Sequence, residues 1–142
     1  MMPDEIICLS LLVLLCVKNA FSLRKALRFR RDVKANAYIR CQAEVIAAHG
    51  SVNRSYFSRA YVRAVYSVDG TQIRGRIICG YDSRVEKGES VTLIVPECDP
   101  KMFAFSEQQV KQAVLKYSVM TAAHTLFTAV LIIVSILAAF EK

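Results

Sequence analysis

The residues with the clearest chemical potential are three arginines in one short stretch, Arg63, Arg74 and Arg76. They flank Asp69-Gly70, a preferred two-residue β-hairpin turn, because Asp and Gly accept positive φ at low cost. In such a hairpin, residues whose numbers sum to 139 face each other, so Arg63 lies opposite Arg76. Two like charges directly opposite are tolerated only if the face is solvated or meets an anion. The pattern therefore leaves two interpretations open, a solvated face or a face for a phosphate-bearing partner.

The other face of the predicted hairpin is apolar almost throughout. The register pairs Tyr66 with Ile73 and Val62 with Ile77, and Ala64 with a glycine between them. Because side chains alternate between the two faces of a strand, these residues are predicted to lie in a core.

A second polar group lies inside the apolar C-terminal segment. Polar groups are costly inside a membrane span, so such residues either pack helices together or serve a function. Two roles stay open for this group, helix packing and a proton-linked role. Its members share one helix face: His124, Thr121, Thr125 and Thr128.

Other candidates for catalysis or metal binding are weak. His49 lies near Ser51, but the sequence offers no third partner for a catalytic triad. A zinc set could be assembled from dispersed residues, but structural zinc sites normally take ligands in closely spaced pairs. We found no P-loop, dinucleotide-binding, zinc-protease or RNA-binding motif. We therefore expect no catalytic activity, no cofactor and no nucleic-acid partner. The zinc set would be Cys41, His49, Cys79 and Cys98.

The elements that must position these residues begin with two apolar segments. The chain has 142 residues, and the stretch 117–140 contains no Asp, Glu, Lys or Arg. As a helix its 24 residues extend roughly 36 Å, enough to cross a bilayer with some tilt. The stretch 6–23 is just sufficient if Lys18 extends toward the headgroups. A cleaved signal peptide is the alternative, but the preceding Asp4 and Glu5 are acidic and no good cleavage site follows.

The basic residues predict the orientation of these segments. Of the 19 Lys and Arg residues, 17 lie between the two segments, where the net charge is +8. The positive-inside rule then places both termini outside and the middle of the chain in the cytoplasm. The basic run after the first segment either sets topology alone or also binds anionic lipid headgroups. This run consists of Arg24, Lys25, Arg28, Arg30, Arg31 and Lys34.

The middle of the chain predicts a small β domain. Alternating or short apolar runs between turn residues predict four or five antiparallel strands, one of them at 41–49 and ended by Gly50, forming a compact sheet or a small barrel. Ser106 and Gln109 form a capping-box pattern that predicts a helix continuing into the second apolar segment. The predicted class is membrane α+β, with two transmembrane helices flanking the β domain. The expected divisions are 1–23 (transmembrane helix), 24–39 (basic juxtamembrane helix), 40–105 (β domain) and 106–142, with its transmembrane part at about 117–140.

The order of these features resembles the bacterial membrane family called domain of unknown function 3592. The resemblance rests on the Asp69-Gly70 hairpin, the Gly88 turn, the apolar run 91–95 with Pro96, and the two helices. Where the family often has Tyr-Asn-Pro or Tyr-Asp-Pro, this chain has Pro96-Glu97-Cys98-Asp99-Pro100. The resemblance implies a small protein of the bacterial plasma membrane, with no activity to carry over.

Together these features predict a membrane protein that acts by binding. Its expected partners are the lipid bilayer, with anionic lipid included, and another membrane protein or a second copy of itself. Two alternatives stay open. One is an accessory subunit of a larger membrane complex for transport, secretion or toxin immunity, and the other is an enzyme of lipid headgroups.

Overall fold

The computed structural model describes residues 3–49, 61–79 and 85–140. They form helix α1 (Pro3–Lys34), strands β1 (Tyr38–His49), β2 (Tyr61–Val68), β3 (Thr71–Ile77), β4 (Ser90–Pro96) and β5 (Met102–Phe103), and helix α2 (Glu107–Phe140). Two long apolar helices thus flank a curled sheet of five strands in chain order. The chain divides into a helical unit, Met1–Lys25 with Leu115–Lys142, and a sheet unit, Ala26–Val114.

Helix α1 continues without a break from the apolar segment into the basic run. It begins at Pro3, which suits a first helical position because proline lacks the N–H that would be unpaired there. Its end is a Schellman motif: Asn36 has φ +53°, the Asn36 N–H bonds the Val33 carbonyl, and the Ala37 N–H bonds the Asp32 carbonyl. Asparagine accepts the left-handed conformation more easily than most residues, so the helix ends here and β1 follows at once.

The strand order in the sheet is β4-β1-β2-β3-β5. The sheet curls until its ends meet, because Ile94 in β4 and Ala104 after β5 exchange two backbone hydrogen bonds of 2.8 and 2.9 Å. Strands β1 to β4 pair antiparallel, as predicted. Strand β5 differs from the prediction, since it pairs parallel with β3 through Arg76–Met102 and Ile77–Phe103. A parallel neighbour needs a long connection, and here the whole of β4 lies between the two strands in the chain.

The β2–β3 hairpin has the predicted register. Six residue pairs, from Val68–Thr71 to Arg63–Arg76, have numbers that sum to 139. Asp69 and Gly70 have φ values of +50° and +78°, the positive angles of a type I′ turn. The prediction of this hairpin is confirmed over those pairs. The predicted pair Val62–Ile77 is not among the paired residues, although both residues lie in the two strands.

Strand β1 is longer than the predicted stretch 41–49. It begins at Tyr38, because its first residues pair with β4 as far as Pro96. Its register with β2 shifts between Val45 and Ala47, which leaves Ile46 as the extra residue of a β-bulge. A bulge increases the local twist of a sheet, which here favours the curling. Gly50, expected to end this strand, lies outside the described residues.

The core inside the curled sheet is built around two aromatic rings. Tyr66 and Phe103 meet edge to face, with ring centroids 6.0 Å apart. Gly75 on β3 leaves the space that the Tyr66 ring occupies. The Tyr66 hydroxyl donates a 2.6 Å hydrogen bond to the Pro100 carbonyl, and burial raises the pKa of this phenol. The other buried members of this core are Ala43, Val45, Val62, Ala64, Ile77, Leu93 and Val95.

Helix α2 begins one residue after the predicted cap and runs unbroken to Phe140. Ser106 Oγ accepts a 3.3 Å hydrogen bond from the Gln109 N–H, and Gln109 Oε1 accepts one of 2.8 Å from the Phe105 N–H. Gln109 is 3% exposed, and its Nε2 also donates to the Cys79 carbonyl at 3.3 Å. This one side chain therefore caps the helix and joins it to the residues that follow β3.

Candidate functional site

The outer face of the β2–β3 hairpin carries three exposed arginines, Arg63, Arg74 and Arg76. Arg63 and Arg76 are direct cross-strand neighbours. Val68 and Thr71 flank the two-residue turn and form a hydrogen-bonded pair. Because hydrogen-bonded and non-hydrogen-bonded pairs alternate along an antiparallel ladder, Arg63–Arg76 is a non-hydrogen-bonded pair. In such pairs the Cα atoms lie about 4.5 Å apart and the side chains are closer than elsewhere in a sheet. Arg74 lies two residues from Arg76 on the same face.

Arg63 on this face lies over an aromatic ring, and none of the three arginines forms an ion pair with an acid of the described residues. The guanidinium carbon of Arg63 lies 5.0 Å from the centroid of the Tyr61 ring, within cation–π distance. In the part of the chain that the structure describes, the two ion pairs are Arg31–Asp32 and Arg40–Glu107, and neither involves this face. Among the described strand residues, Glu44 is the carboxylate that the strand pairing places nearest on this face. It pairs with Val65, which in turn pairs with Arg74, so two strand spacings, about 9.6 Å, separate Glu44 from Arg74.

The basic run on α1 lies partly exposed and partly against the sheet unit. Ala26 and Phe29 on this helix are fully buried. Arg30 is only half exposed, and its Nε atom is buried without a hydrogen-bond partner among the described residues. The exposed members of the run are Arg24, Lys25, Arg28, Arg31 and Lys34.

Asp32, the single acid within that run, is a structural residue. It is 6% exposed, and its Oδ2 accepts a 2.9 Å hydrogen bond from the Cys98 N–H. Partial burial of the thiol and the adjacent carboxylate together raise the pKa of Cys98 to about 11, although the residue as a whole is exposed. Asp32 therefore joins the end of α1 to the turn after β4.

The predicted intramembrane polar group has a partner on the other helix. Within the helical unit, Asn19 Nδ2 of α1 lies 3.1 Å from His124 Nδ1 of α2, and Cys16 Sγ lies 3.7 Å from Thr128 Oγ1. His124 Nδ1 is also 2.7 Å from the Met120 carbonyl oxygen, so this ring nitrogen donates to Met120 in one tautomer and accepts from Asn19 Nδ2 in the other. Thr121 and Thr128 donate to carbonyls of their own helix four residues earlier, and Thr125 is exposed.

The two polar contacts form a short ladder between the apolar helices. Cys16 and Asn19 are three residues apart on α1, and His124 and Thr128 are four residues apart on α2, so each pair of neighbours lies on one helix face. Asn19 is 6% exposed, the lowest value among the polar side chains of this unit. The sequence analysis identified His124 and the threonines but not Asn19 or Cys16 as their partners.

The described residues form no metal site. They include no group of three or more His, Cys, Asp or Glu side chains that could hold a metal ion, so the zinc set of Cys41, His49, Cys79 and Cys98 is not brought together. Cys8, Cys16, Cys41 and Cys98 form no disulfide. Ser51, the neighbour considered for His49, lies outside the described residues.

A further polar cluster lies at the start of β1 and holds α2. The Tyr38 hydroxyl donates to Glu107 Oε1 at 3.2 Å, and the Arg40 guanidinium lies 3.7 Å from the same carboxylate oxygen. Arg40 also donates to the Tyr38 hydroxyl, and this neighbour raises the pKa of Arg40. The cluster is exposed, so it contributes little stability and positions the helix N-terminus.

Comparisons with known proteins give no match: no family model, no curated protein and no solved structure matches this chain.

Proposed function

We propose that this chain is a two-span membrane protein that presents its sheet unit for binding. The observation that carries the proposal is the exposure of large apolar side chains along both helices. Leu14 on α1 is 65% exposed and Leu126 on α2 is 68% exposed, and many other large apolar side chains on both helices are exposed as well. Soluble monomers rarely expose apolar patches of this extent, and both helices are long and apolar enough to cross a bilayer. Hydrocarbon is the environment that suits these surfaces.

The orientation that we propose places both termini outside and the sheet unit in the cytoplasm. It rests on the basic residues next to each apolar segment in the stretch of chain between the two segments, from Arg24 after the first to Lys116 before the second. The resemblance to domain of unknown function 3592 supports the bacterial plasma membrane as the location. Binding is the proposed mode of action because the outward arginines lie together on one face of the hairpin.

A two-part experiment tests this proposal. The full chain should stay with the membrane pellet after alkaline carbonate extraction, because two apolar helices hold it in the bilayer. For orientation, Lys142→Cys and Gln72→Cys are compared with the unmodified chain, which reports labelling of the native cysteines. A membrane-impermeant maleimide should label Lys142→Cys in intact cells, and Gln72→Cys only after permeabilisation. Release by carbonate would refute membrane insertion, and the opposite labelling pattern would refute the orientation.

An accessory-subunit role is the second candidate, supported by a polar group on the exposed side of α2. Thr125 is exposed within the apolar part of this helix, where a neighbouring helix would offer a hydrogen-bond partner that lipid tails lack. Purification in mild detergent tests this role. A stoichiometric partner, or a mass that is a multiple of 15.9 kDa, would support it, whereas a lone monomer in detergent would contradict it.

A further inference from the structure

The arginine face of the hairpin forms no ion pair with a carboxylate of the described residues. Arg63 and Arg76 are opposed in the closest type of cross-strand pair, and Arg74 adds a third exposed guanidinium on the same side. Lys101 is also exposed, and its carbonyl accepts a 3.0 Å hydrogen bond from the Arg76 N–H, so it is a backbone neighbour of this face. No carboxylate in the described residues forms an ion pair with any of the four.

Such an arrangement costs stability unless something negative binds there. Like charges directly opposite in a sheet destabilise it. The side chain of Arg63 is nevertheless held over the Tyr61 ring rather than left to extend into solvent. A stacked guanidinium loses less freedom when it forms hydrogen bonds, which favours ligand binding over simple solvation.

The chemistry of the face selects the kind of anion. A guanidinium presents N–H groups in a planar fork that suits two oxygens at once. A carboxylate offers only two oxygens and one negative charge, so one carboxylate does not satisfy two opposed forks. A phosphomonoester offers three terminal oxygens and nearly two negative charges, so it can bridge Arg63 and Arg76 and still accept from Arg74.

We propose that the outer face of the β2–β3 hairpin is a binding site for a phosphomonoester group, bridged by Arg63 and Arg76 and contacted by Arg74. This proposal deepens the proposed function, on which it rests, by naming the chemical class of the ligand. The phosphomonoester can belong to a lipid headgroup or to a soluble phosphate compound, and both sources present the same chemistry to the arginines.

The test uses the full chain in phosphatidylcholine nanodiscs, with inorganic pyrophosphate as the soluble probe and calorimetric titration as the readout. Arg63→Gln/Arg76→Gln should weaken pyrophosphate binding at least about tenfold, because it removes charge-assisted hydrogen bonds. The matched control is Lys87→Gln/Lys111→Gln, which removes the same charge from two exposed positions elsewhere in the sheet unit. This control should keep the affinity within about twofold, since only screened long-range attraction is lost.

A thermal measurement keeps the test independent of folding defects. In phosphate-free buffer of low salt, the arginine double variant should unfold at about the same temperature as the natural chain, because the lost Arg63–Arg76 repulsion offsets the lost contact of Arg63 with the Tyr61 ring. Pyrophosphate should raise the midpoint of the natural chain above that in chloride of equal ionic strength, and should not raise that of the variant. If the double variant does not fold, the single change Arg74→Gln, opposite Val65, replaces it in both measurements.

The source of the phosphate is then decided with nanodiscs that contain phosphatidic acid. If this lipid weakens the apparent affinity for pyrophosphate more than phosphatidylglycerol of equal surface charge does, the headgroup occupies the site. If it does not, the ligand is a soluble phosphate compound, and either result supports the shared chemistry.

Three results would overturn the proposal: no pyrophosphate binding by the natural chain, equal losses in the arginine and lysine double variants, or equally effective displacement by a glutamate-rich peptide of the same charge. The last result would assign the face to an acidic protein instead. Failure of the chain to enter a bilayer would appear earlier, at reconstitution, and would count against the proposed function rather than against this site.

Discussion

Replacing Gly75 by alanine should destabilise the sheet unit, because the Tyr66 ring already fills the space that a side chain would need. A Cβ built on Gly75 would lie 2.7 Å from the Cε1 and Cζ atoms of Tyr66, closer than real Cβ contacts. The ring cannot move freely. Tyr66 is 3% exposed, its hydroxyl is bonded to the Pro100 carbonyl, and its edge contacts Phe103.

The expected cost follows from three contributions. Overpacking a core costs about 1 to 3 kcal/mol, and loss of the Tyr66–Pro100 hydrogen bond adds about 1 kcal/mol. About 0.4 to 1 kcal/mol of this loss is offset, because alanine restricts the conformations of the unfolded chain more than glycine does. Gly75→Ala should therefore lower the free energy of unfolding by about 1 to 3.6 kcal/mol, a substantial part of the roughly 5 to 15 kcal/mol of a typical domain.

A double-mutant cycle separates the clash from any other role of Gly75. Tyr66→Ala alone should cost about 3 to 5 kcal/mol, since it leaves a cavity in the core. In that background Gly75→Ala should be neutral or slightly stabilising, because the ring is gone. Denaturant unfolding of the full chain in detergent, followed by near-ultraviolet circular dichroism, measures all four proteins. An equal cost of Gly75→Ala with and without the ring would refute the reasoning.

Three further predictions test other parts of the molecule. Gly70→Val should destabilise the hairpin by about 1 to 3 kcal/mol, because a β-branched residue is strained at φ +78°, and an unchanged thermal midpoint would contradict the type I′ turn. Alkylation of Cys98 should be slow at pH 8, and its rate should rise about tenfold per pH unit toward the raised pKa of about 11. Asp32→Asn keeps an acceptor for the Cys98 N–H but removes the negative charge, so it should speed alkylation at pH 8. An unchanged rate would exclude the Asp32 carboxylate as a cause of the raised pKa. Thr128→Cys should form a disulfide with Cys16 under mild oxidation, and adding Asn19→Leu should slow its formation because the contact with His124 is lost. Mass spectrometry of the linked peptides measures the rate of disulfide formation. An equal rate with and without Asn19→Leu would show that Asn19 does not hold the helices together.

The hairpin could be predicted in detail because its rules are local. A two-residue turn determines the whole register, so Asp69-Gly70 was sufficient to place Arg63 opposite Arg76. The pairing of β5 could not be predicted in this way. Its neighbour β3 is distant in the chain, and parallel pairing has no turn signature, so only the folded sheet reveals it.

The polar partners of the helices were missed for a similar reason. Asn19 follows Lys18 in an otherwise apolar stretch, so the sequence gives no sign that it faces His124, more than a hundred positions away. The register between two helices depends on their packing rather than on local spacing. Asp32 was equally hidden, because an acid among basic residues is typical of a solvated helix face, whereas this one is buried and accepts from the Cys98 N–H.

The buried polar side chains argue that the sheet and the adjoining helix turns fold as one unit. Asp32 on α1 bonds the turn after β4, and Gln109 on α2 bonds the end of β3, so each helix is joined to the sheet by a side chain that water does not reach. A fragment limited to residues 40–105 would lose both contacts and expose Ala104, which is fully buried. It would also leave the Cys98 N–H and the Cys79 carbonyl without these partners, at a cost of about 1 to 3 kcal/mol each where they stay buried. The smallest fragment that keeps these contacts is therefore the compact unit Ala26–Val114, whose helix turns belong to its core.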